Sequence, residues 1–175
     1  MLSVSAVKGQ TILFFENFGT TGGSALPAGW SQTGATQQWL LNTSNASTSP
    51  PYSGGANLLA QNQGANGVTH TVTYSNNLST IGYSNLKVIW AARATTTFAQ
   101  TVNFSWSSDG TNWNNVTYTQ FPANGTWSNV NNNVKILLPP AAENVADLRF
   151  RWSYNANNSG NYRIDDFSLE GTTNC

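Results

Sequence analysis

The segment Leu148-Arg-Phe-Arg-Trp-Ser-Tyr154 alternates large apolar side chains with polar ones along its whole length. Only an extended strand puts every second residue on one face, so the run offers Leu148, Phe150, Trp152 and Tyr154 to a core and turns Arg149 and Arg151 away from it. The same period recurs in Leu86, Val88, Trp90 and Ala92, and in Val102, Phe104 and Trp106. Strands buried on one face only belong to antiparallel sheets, and many of them imply two sheets packed face to face. Composition removes the helical alternative. Asn, Thr and Ser account for 63 of 175 residues, and these types favour turns and caps over helix interiors.

With these included, strand-like runs lie at 11–18, 38–41, 57–61, 69–74, 85–93, 100–107, 114–120, 126–138, 147–154 and 162–170. Asp109-Gly110 marks a tight turn between two of them, and a polar loop over 42–55 carries Pro50-Pro51. Nine or ten strands predict an all-β antiparallel sandwich, a jelly roll in preference to an immunoglobulin-type fold. One domain is expected over 11–171, with 1–10 a linker and 172–175 a linker or tail. Cys175 is the only cysteine, so no internal disulfide forms; it is an added residue or the start of a linker. Met1 to Gln10 has neither a basic n-region nor a long apolar stretch, which fits a piece of a longer secreted or cell-surface protein.

Charge excludes several function classes. Seven basic and seven acidic residues give a net charge of zero, against nucleic-acid binding through bulk charge, and no apolar run is long enough to span a bilayer. A monomer is expected. Retaining glycosidases need two carboxylates about 5 Å apart, and no Glu-x-Asp pattern is present. His70 and Tyr74 share a strand face, as a lyase base would require, but a lone His is more often structural. The chain does not read as an enzyme, and no catalytic residue is assigned.

Two acidic positions stand out. By period two, Glu16 shares a face with Ile12, Phe14 and Phe18, and Asp165 shares one with Phe167 and Leu169, with Asp166 on the other. A carboxylate on an apolar face is costly unless paired or bound to a metal. Glu16 and Asp165, in strands that a sandwich sets side by side, suggest a calcium site, with Asn57 and carbonyls of the turn over 52–57 completing the oxygen shell. The competing reading has Glu16 paired with Arg163 or capping backbone amides.

Basic residues fall within strands. If the strands of Lys87, Arg93, Arg149 and Arg151 were neighbours in one sheet, its outer face would carry a positive patch suited to a sulfated or uronic polysaccharide. Trp39, Trp127, Tyr118, Tyr52 and Tyr154 are candidate rings for stacking on sugar faces. Trp90, Trp106 and Trp152 read as core, Trp30 as packing for its entry loop, and Trp113 as closing its hairpin.

Four motifs in order, Phe15-Glu16-Asn17-Phe18, Leu26-Pro27-Ala28-Gly29-Trp30, Ser108-Asp109-Gly110-Thr111-Asn112-Trp113 and Tyr162-Arg163-Ile164-Asp165-Asp166-Phe167-Ser168-Leu169, resemble the cleaved-adhesin and MAM-like jelly rolls of secreted Bacteroidetes-type bacterial proteins. The ending also resembles that of calcium-containing jelly-roll carbohydrate-binding modules. The resemblance implies a structural calcium at Glu16 and Asp165, with Asp166 beside them, and fusion to a catalytic or surface domain. The expected function is a non-catalytic, polysaccharide-binding module. The alternatives are an adhesin-type module for a host or matrix protein, and a structural spacer.

Overall fold

The computed structural model describes residues 9–33, 39–47, 52–61, 66–157 and 159–174; most of the expected N-terminal linker, Pro50-Pro51 and Cys175 lie outside them. Twelve strands among these residues form two antiparallel sheets. The five-stranded sheet runs β2 (Trp30–Thr33), β5 (Thr69–Leu78), β11 (Leu148–Asn155), β7 (Asn103–Ser107) and β8 (Asn114–Val116). The seven-stranded sheet centres on β12 (Asn161–Thr173). Its neighbour β6 (Tyr83–Ala94) lies along one edge, while β4 (Asn57–Gln61) and β1 (Gln10–Glu16) share the other. β3 (Trp39–Asn42) extends the sheet beyond β4, and the short β9 (Ser128–Asn129) and β10 (Ile136–Leu137) share the outer edge of β6. The all-β sandwich read from the alternation is therefore the fold.

The core between the sheets is aromatic. Phe167 on β12 meets Phe150 and Trp152 of the facing sheet with ring centroids 5.1 and 4.9 Å apart, and Trp152 stacks on Trp30 at 5.6 Å. Such pairs contribute about 0.5–1.5 kcal/mol each beyond the burial of their area. Trp90, Trp106 and Trp152 are all buried, as the alternation requires. Trp90 Nε1 donates to Tyr162 Oη at 3.1 Å, whereas Trp152 Nε1 is buried without a partner among the described residues.

Local irregularities correct the strand reading in three places. In β1 the register slips between Ile12 and Phe14, so Leu13 and Phe14 both pack on the core while Ile12 is 66% exposed. In β12 the register slips between Asp165 and Ser168, where Asp166 takes the left-handed φ of 50°. An extra residue in one strand reverses which side chains face inward. Tyr162 and Ile164 face the core before the bulge, Phe167 and Leu169 after it. Asp165, expected on the face of Phe167, instead pairs with Ala91 on the outer face, the face of Arg163 and Arg93. The run at 126–138 is not one strand. Asn131, Asn132 and Asn133 adopt φ of 53°, 55° and 64°, a conformation that Asn tolerates better than other side-chain-bearing residues, and they separate β9 from β10.

Candidate functional site

The outer face of the five-stranded sheet carries a shallow groove of about 360 Å³. Its floor is built by register. Ser31 pairs with Thr73 and Thr73 with Arg151; one step along, Thr33 pairs with Thr71 and Thr71 with Ser153. Directly opposite residues in antiparallel strands share a face, so hydroxyls of β2 and β5 lie side by side with Arg151 of β11 on a rigid surface. Gly110, Trp113 and Arg149 close the groove.

The β7–β8 hairpin presents Trp113. Asp109 accepts hydrogen bonds from the backbone N–H of Thr111 and Asn112, both at 2.8 Å, from Asn112 Nδ2 at 2.7 Å and from Ser107 Oγ at 2.9 Å. These donors, the Asn112 amide first, hold its carboxyl far below the usual carboxylate range. Ser107 Oγ also accepts from Gly110 N–H at 2.8 Å. Gly110 has φ 74°, a conformation that favours glycine, and a Cβ there would lie 1.7 Å from Arg149 Nη1, so any larger residue would push the guanidinium aside. The Arg151 guanidinium carbon sits 4.2 Å from the centroid of the Trp113 ring.

The two arginines differ in their bonding. Arg149 is neutralised by Asp147, whose Oδ2 accepts from Nε at 2.9 Å and from Nη2 at 2.6 Å. Arg151 has no hydrogen bond or ion pair among the described residues, and its Nε is buried without a partner. Burial lowers its affinity for the proton. It is an unpaired cation held on an aromatic face among hydroxyls.

The other expected ligand residues are elsewhere. Lys87 and Arg93 lie on β6, in the opposite sheet, so the single positive patch is not formed. Arg93 Nε donates to Gly125 O at 2.7 Å and pins a loop. Trp39 and Tyr154 are core residues, 0% and 1% exposed, with rings edge to face at 5.7 Å. Gln32 fixes Trp39 by accepting from its N–H and donating to its carbonyl, each at 2.9 Å. Tyr118 is half-buried, donates to Val102 O at 2.6 Å and packs edge-on to Trp90, and burial raises its phenol well above its ordinary value. Trp127 stays half-exposed on the seven-stranded side, its Nε1 donating to Asn45 O at 2.9 Å. Sequence reasoning missed Trp113 and the β2 residues. Trp113 reads as hairpin packing until Arg151 is known to lie beneath it, and β2 is four residues long after a Gly-rich loop. Thr71 and Thr73 were missed as well, although their alternation with His70, Val72 and Tyr74 was a signal for them. His70 is itself 0% exposed, and Tyr74 is 5% exposed in the core, so neither reaches a polymer at the surface.

The acidic corner is divided between the two faces of β12. Glu16 pairs with Phe167 on the core side, where Oε1 accepts from Phe18 N–H at 2.7 Å and Oε2 from Trp30 Nε1 at 3.1 Å. That is the amide-capping alternative rather than an ion pair with Arg163. Asp165, on the outer side, is fully buried under the β3–β4 loop; Ser47 Oγ donates to its Oδ2 at 2.7 Å, and burial raises its carboxyl to about 7. Asp166 Oδ2 accepts from Ser53 N–H at 2.9 Å, and its Oδ1 is buried without a partner. Asn57 Oδ1 accepts from Arg163 Nη1 at 2.8 Å, so this oxygen faces a cation already present. Among the described residues no three His, Cys, Asp or Glu side chains form a group placed to hold a metal ion. The carboxylate pair with an orphan oxygen fits part of the shell of a hard cation, and Glu16 and Asn57 belong to other hydrogen-bond sets.

No protein-family model matches the chain, and no curated protein does. Solved structures do match. The CBM22-1 xylan-binding domain of Paenibacillus barcinonensis Xyn10C is similar over 97% of this chain and 99% of its own, at 16% identity and a TM-score of 0.60. The K1 cleaved-adhesin domain of Lys-gingipain from Porphyromonas gingivalis W83 is similar over 89% and 96%, at 13% identity and 0.54. TmCBM61, solved in complex with β-1,4-galactotriose, is similar over 81% and 88%, at 13% identity and 0.50. At these identities the likeness is one of fold: the chain is an antiparallel β-sandwich of the jelly-roll type found in carbohydrate-binding and cleaved-adhesin modules.

Proposed function

We propose that this chain is a non-catalytic carbohydrate-binding module that holds an extended polysaccharide along the outer face of the five-stranded sheet. The observation that carries the reading is Arg151, unpaired, set on the Trp113 ring and bordered by the Ser31, Thr71 and Thr73 hydroxyls. A ring face suits the apolar face of a pyranose, hydroxyls on strands read sugar hydroxyls at small ordering cost, and a free guanidinium grips a carboxylate or sulfate with two parallel hydrogen bonds. The ligand class is therefore an acidic polysaccharide. The reading places the module in a secreted multidomain protein and includes a calcium ion at Asp165 and Asp166. The unpartnered Asp166 Oδ1 and the burial of Asp165 support the ion, which would neutralise a charge pair that burial otherwise makes costly. Adhesion to a protein is the second reading. It rests on Ile12, Phe15 and Leu137, which are 66%, 52% and 61% exposed and lie by register on the outer face of the seven-stranded sheet.

Affinity gel electrophoresis in polygalacturonate, a sulfated galactan and neutral xylan tests this. Retardation by an acidic polymer is expected, weakened by salt and lost in both Trp113→Ala and Arg151→Ala. Retardation by neutral polymers alone would remove the acidic preference, and retardation surviving both substitutions would move the ligand off this face. Migration unaffected by any polymer would hand the argument to protein adhesion.

A further inference from the structure

A second cavity, of about 370 Å³, lies on the seven-stranded side, walled by Tyr52 of the β3–β4 loop, Phe121 and the turn that joins β9 to β10. It is a different kind of site from the groove. None of its lining residues carries a formal charge; the polar ones are Asn124, Ser128, Asn129, Asn132 and Asn133. The volume is at the lower end of small-ligand pockets.

The walls are held by bonds that do not need a ligand. Phe121 packs on the buried Tyr162 at 5.1 Å, and Arg93 ties the 122–126 loop to β6 through Gly125 O. Trp127, anchored to Asn45 O, sets its ring 6.4 Å from that of Tyr52. Asn131 fixes the turn by accepting from Thr119 N–H at 3.1 Å and donating to Val134 O at 3.0 Å. Asn129 Nδ2 donates to Asn133 Oδ1 at 2.6 Å. What remains is the Asn132 amide, exposed and without a hydrogen bond among the described residues, presented by a left-handed backbone at φ 55°.

Aromatic walls with uncommitted amide donors and acceptors, and no charge, match a neutral sugar: rings take the C–H faces of a pyranose and amides take its hydroxyls. We infer that this pocket is a second carbohydrate site, taking one or two residues of a neutral glycan through Tyr52, Phe121 and Asn132. It goes beyond the groove reading and does not rest on it, because the two sites lie on different sheets and select different charge.

The test uses the full chain carrying Trp113→Ala and Arg151→Ala together, so that the groove is silent. Affinity electrophoresis in neutral xylan, β-1,4-galactan and mixed-linkage β-glucan should still show retardation by at least one polymer. Adding Tyr52→Ala should weaken it about tenfold, and adding Asn132→Gly about fivefold. Glycine keeps the left-handed backbone while removing the amide, so the second variant tests the contact with the fold intact. Loss of all neutral binding in the groove variant, or neutral binding indifferent to both added substitutions, overturns the second site. Either result leaves retardation of the unmutated chain by acidic polymers, the readout of the groove, unaffected.

Discussion

On the outer face of the seven-stranded sheet, Arg163 is 4% exposed and its Nη1 donates to Asn42 Oδ1, Ser44 O and Asn57 Oδ1 at 2.8–2.9 Å. On the outer face of the five-stranded sheet, Arg151 donates to nothing among the described residues and rests on Trp113. Both are strand arginines directed away from the core, and composition or alternation cannot separate them. The difference lies in what covers them. The β3–β4 loop folds down over β12, so Arg163 and Asp165 are roofed and their hydrogen bonds are made within the chain. Among the described residues no comparable loop covers β5 and β11; a hairpin leans in from the side, leaving a groove lined by hydroxyls and a cation without an ion pair. The first arrangement uses a guanidinium to build structure, the second keeps one available to a ligand.

This contrast breaks or sharpens under substitution. Arg163→Ala strands three acceptors in a buried place and should cost about 3 kcal/mol or more in urea unfolding; a loss below about 1 kcal/mol would mean that water replaces the guanidinium and the roof is leaky. Calcium comes next. At a hundredfold excess over its Kd, calcium should contribute about 2.7 kcal/mol, and chelation should then lower Tm by about 5–10 °C, an effect absent in Asp165→Asn. A chelator without effect on the unmutated chain removes the ion from the reading. Gly110→Ala should cost about 1–2 kcal/mol, because φ is positive, and its Cβ should displace the Arg149 guanidinium at the groove's edge. If calorimetry finds no loss, the hairpin tip does not hold the left-handed conformation.

The pH response of the hairpin follows from Asp109. Its carboxyl is depressed by the Asn112 amide and the neighbouring N–H groups, so its contribution is whole above the unfolded value near 4 and fades as pH falls below that. Between pH 5 and pH 2, Trp fluorescence should report loosening of the Trp113 hairpin, and Asp109→Asn should remove that part of the titration. An unchanged titration in the variant would assign the transition to other carboxyls. The smallest effect on stability belongs to Arg151→Ala, about 0.5 kcal/mol, although it should abolish retardation by acidic polymers. A large loss of stability there would show Arg151 to be structural after all, and the contrast with Arg163 would vanish.

Much of the fold was legible because period-two alternation is a local property. Leu148 to Tyr154 and Leu86 to Ala92 announced both their strands and their buried faces, and Asp109-Gly110 announced a turn whose bonds are all made within six residues of one another. Where the backbone departs from regular extension, alternation misleads. The bulge at Asp165–Asp166 moves one carboxylate to the face opposite Glu16, and the left-handed Asn131 to Asn133 cut a long apolar-polar run into two short strands.

The site was less legible because it is assembled across the chain. The sequence by itself determined that Arg149 and Arg151 point outward and that a two-sheet sandwich must bury most of the tryptophans. Only the tertiary structure decided that β6 and β11 belong to different sheets, which separates Lys87 and Arg93 from Arg151, and that Trp39 and Tyr154 are core while Trp113 is not. The physical reason is that facing is set by φ and ψ within a few residues, whereas partnership depends on which strands hydrogen-bond as neighbours and which loops cover them, and those contacts join residues far apart in the chain.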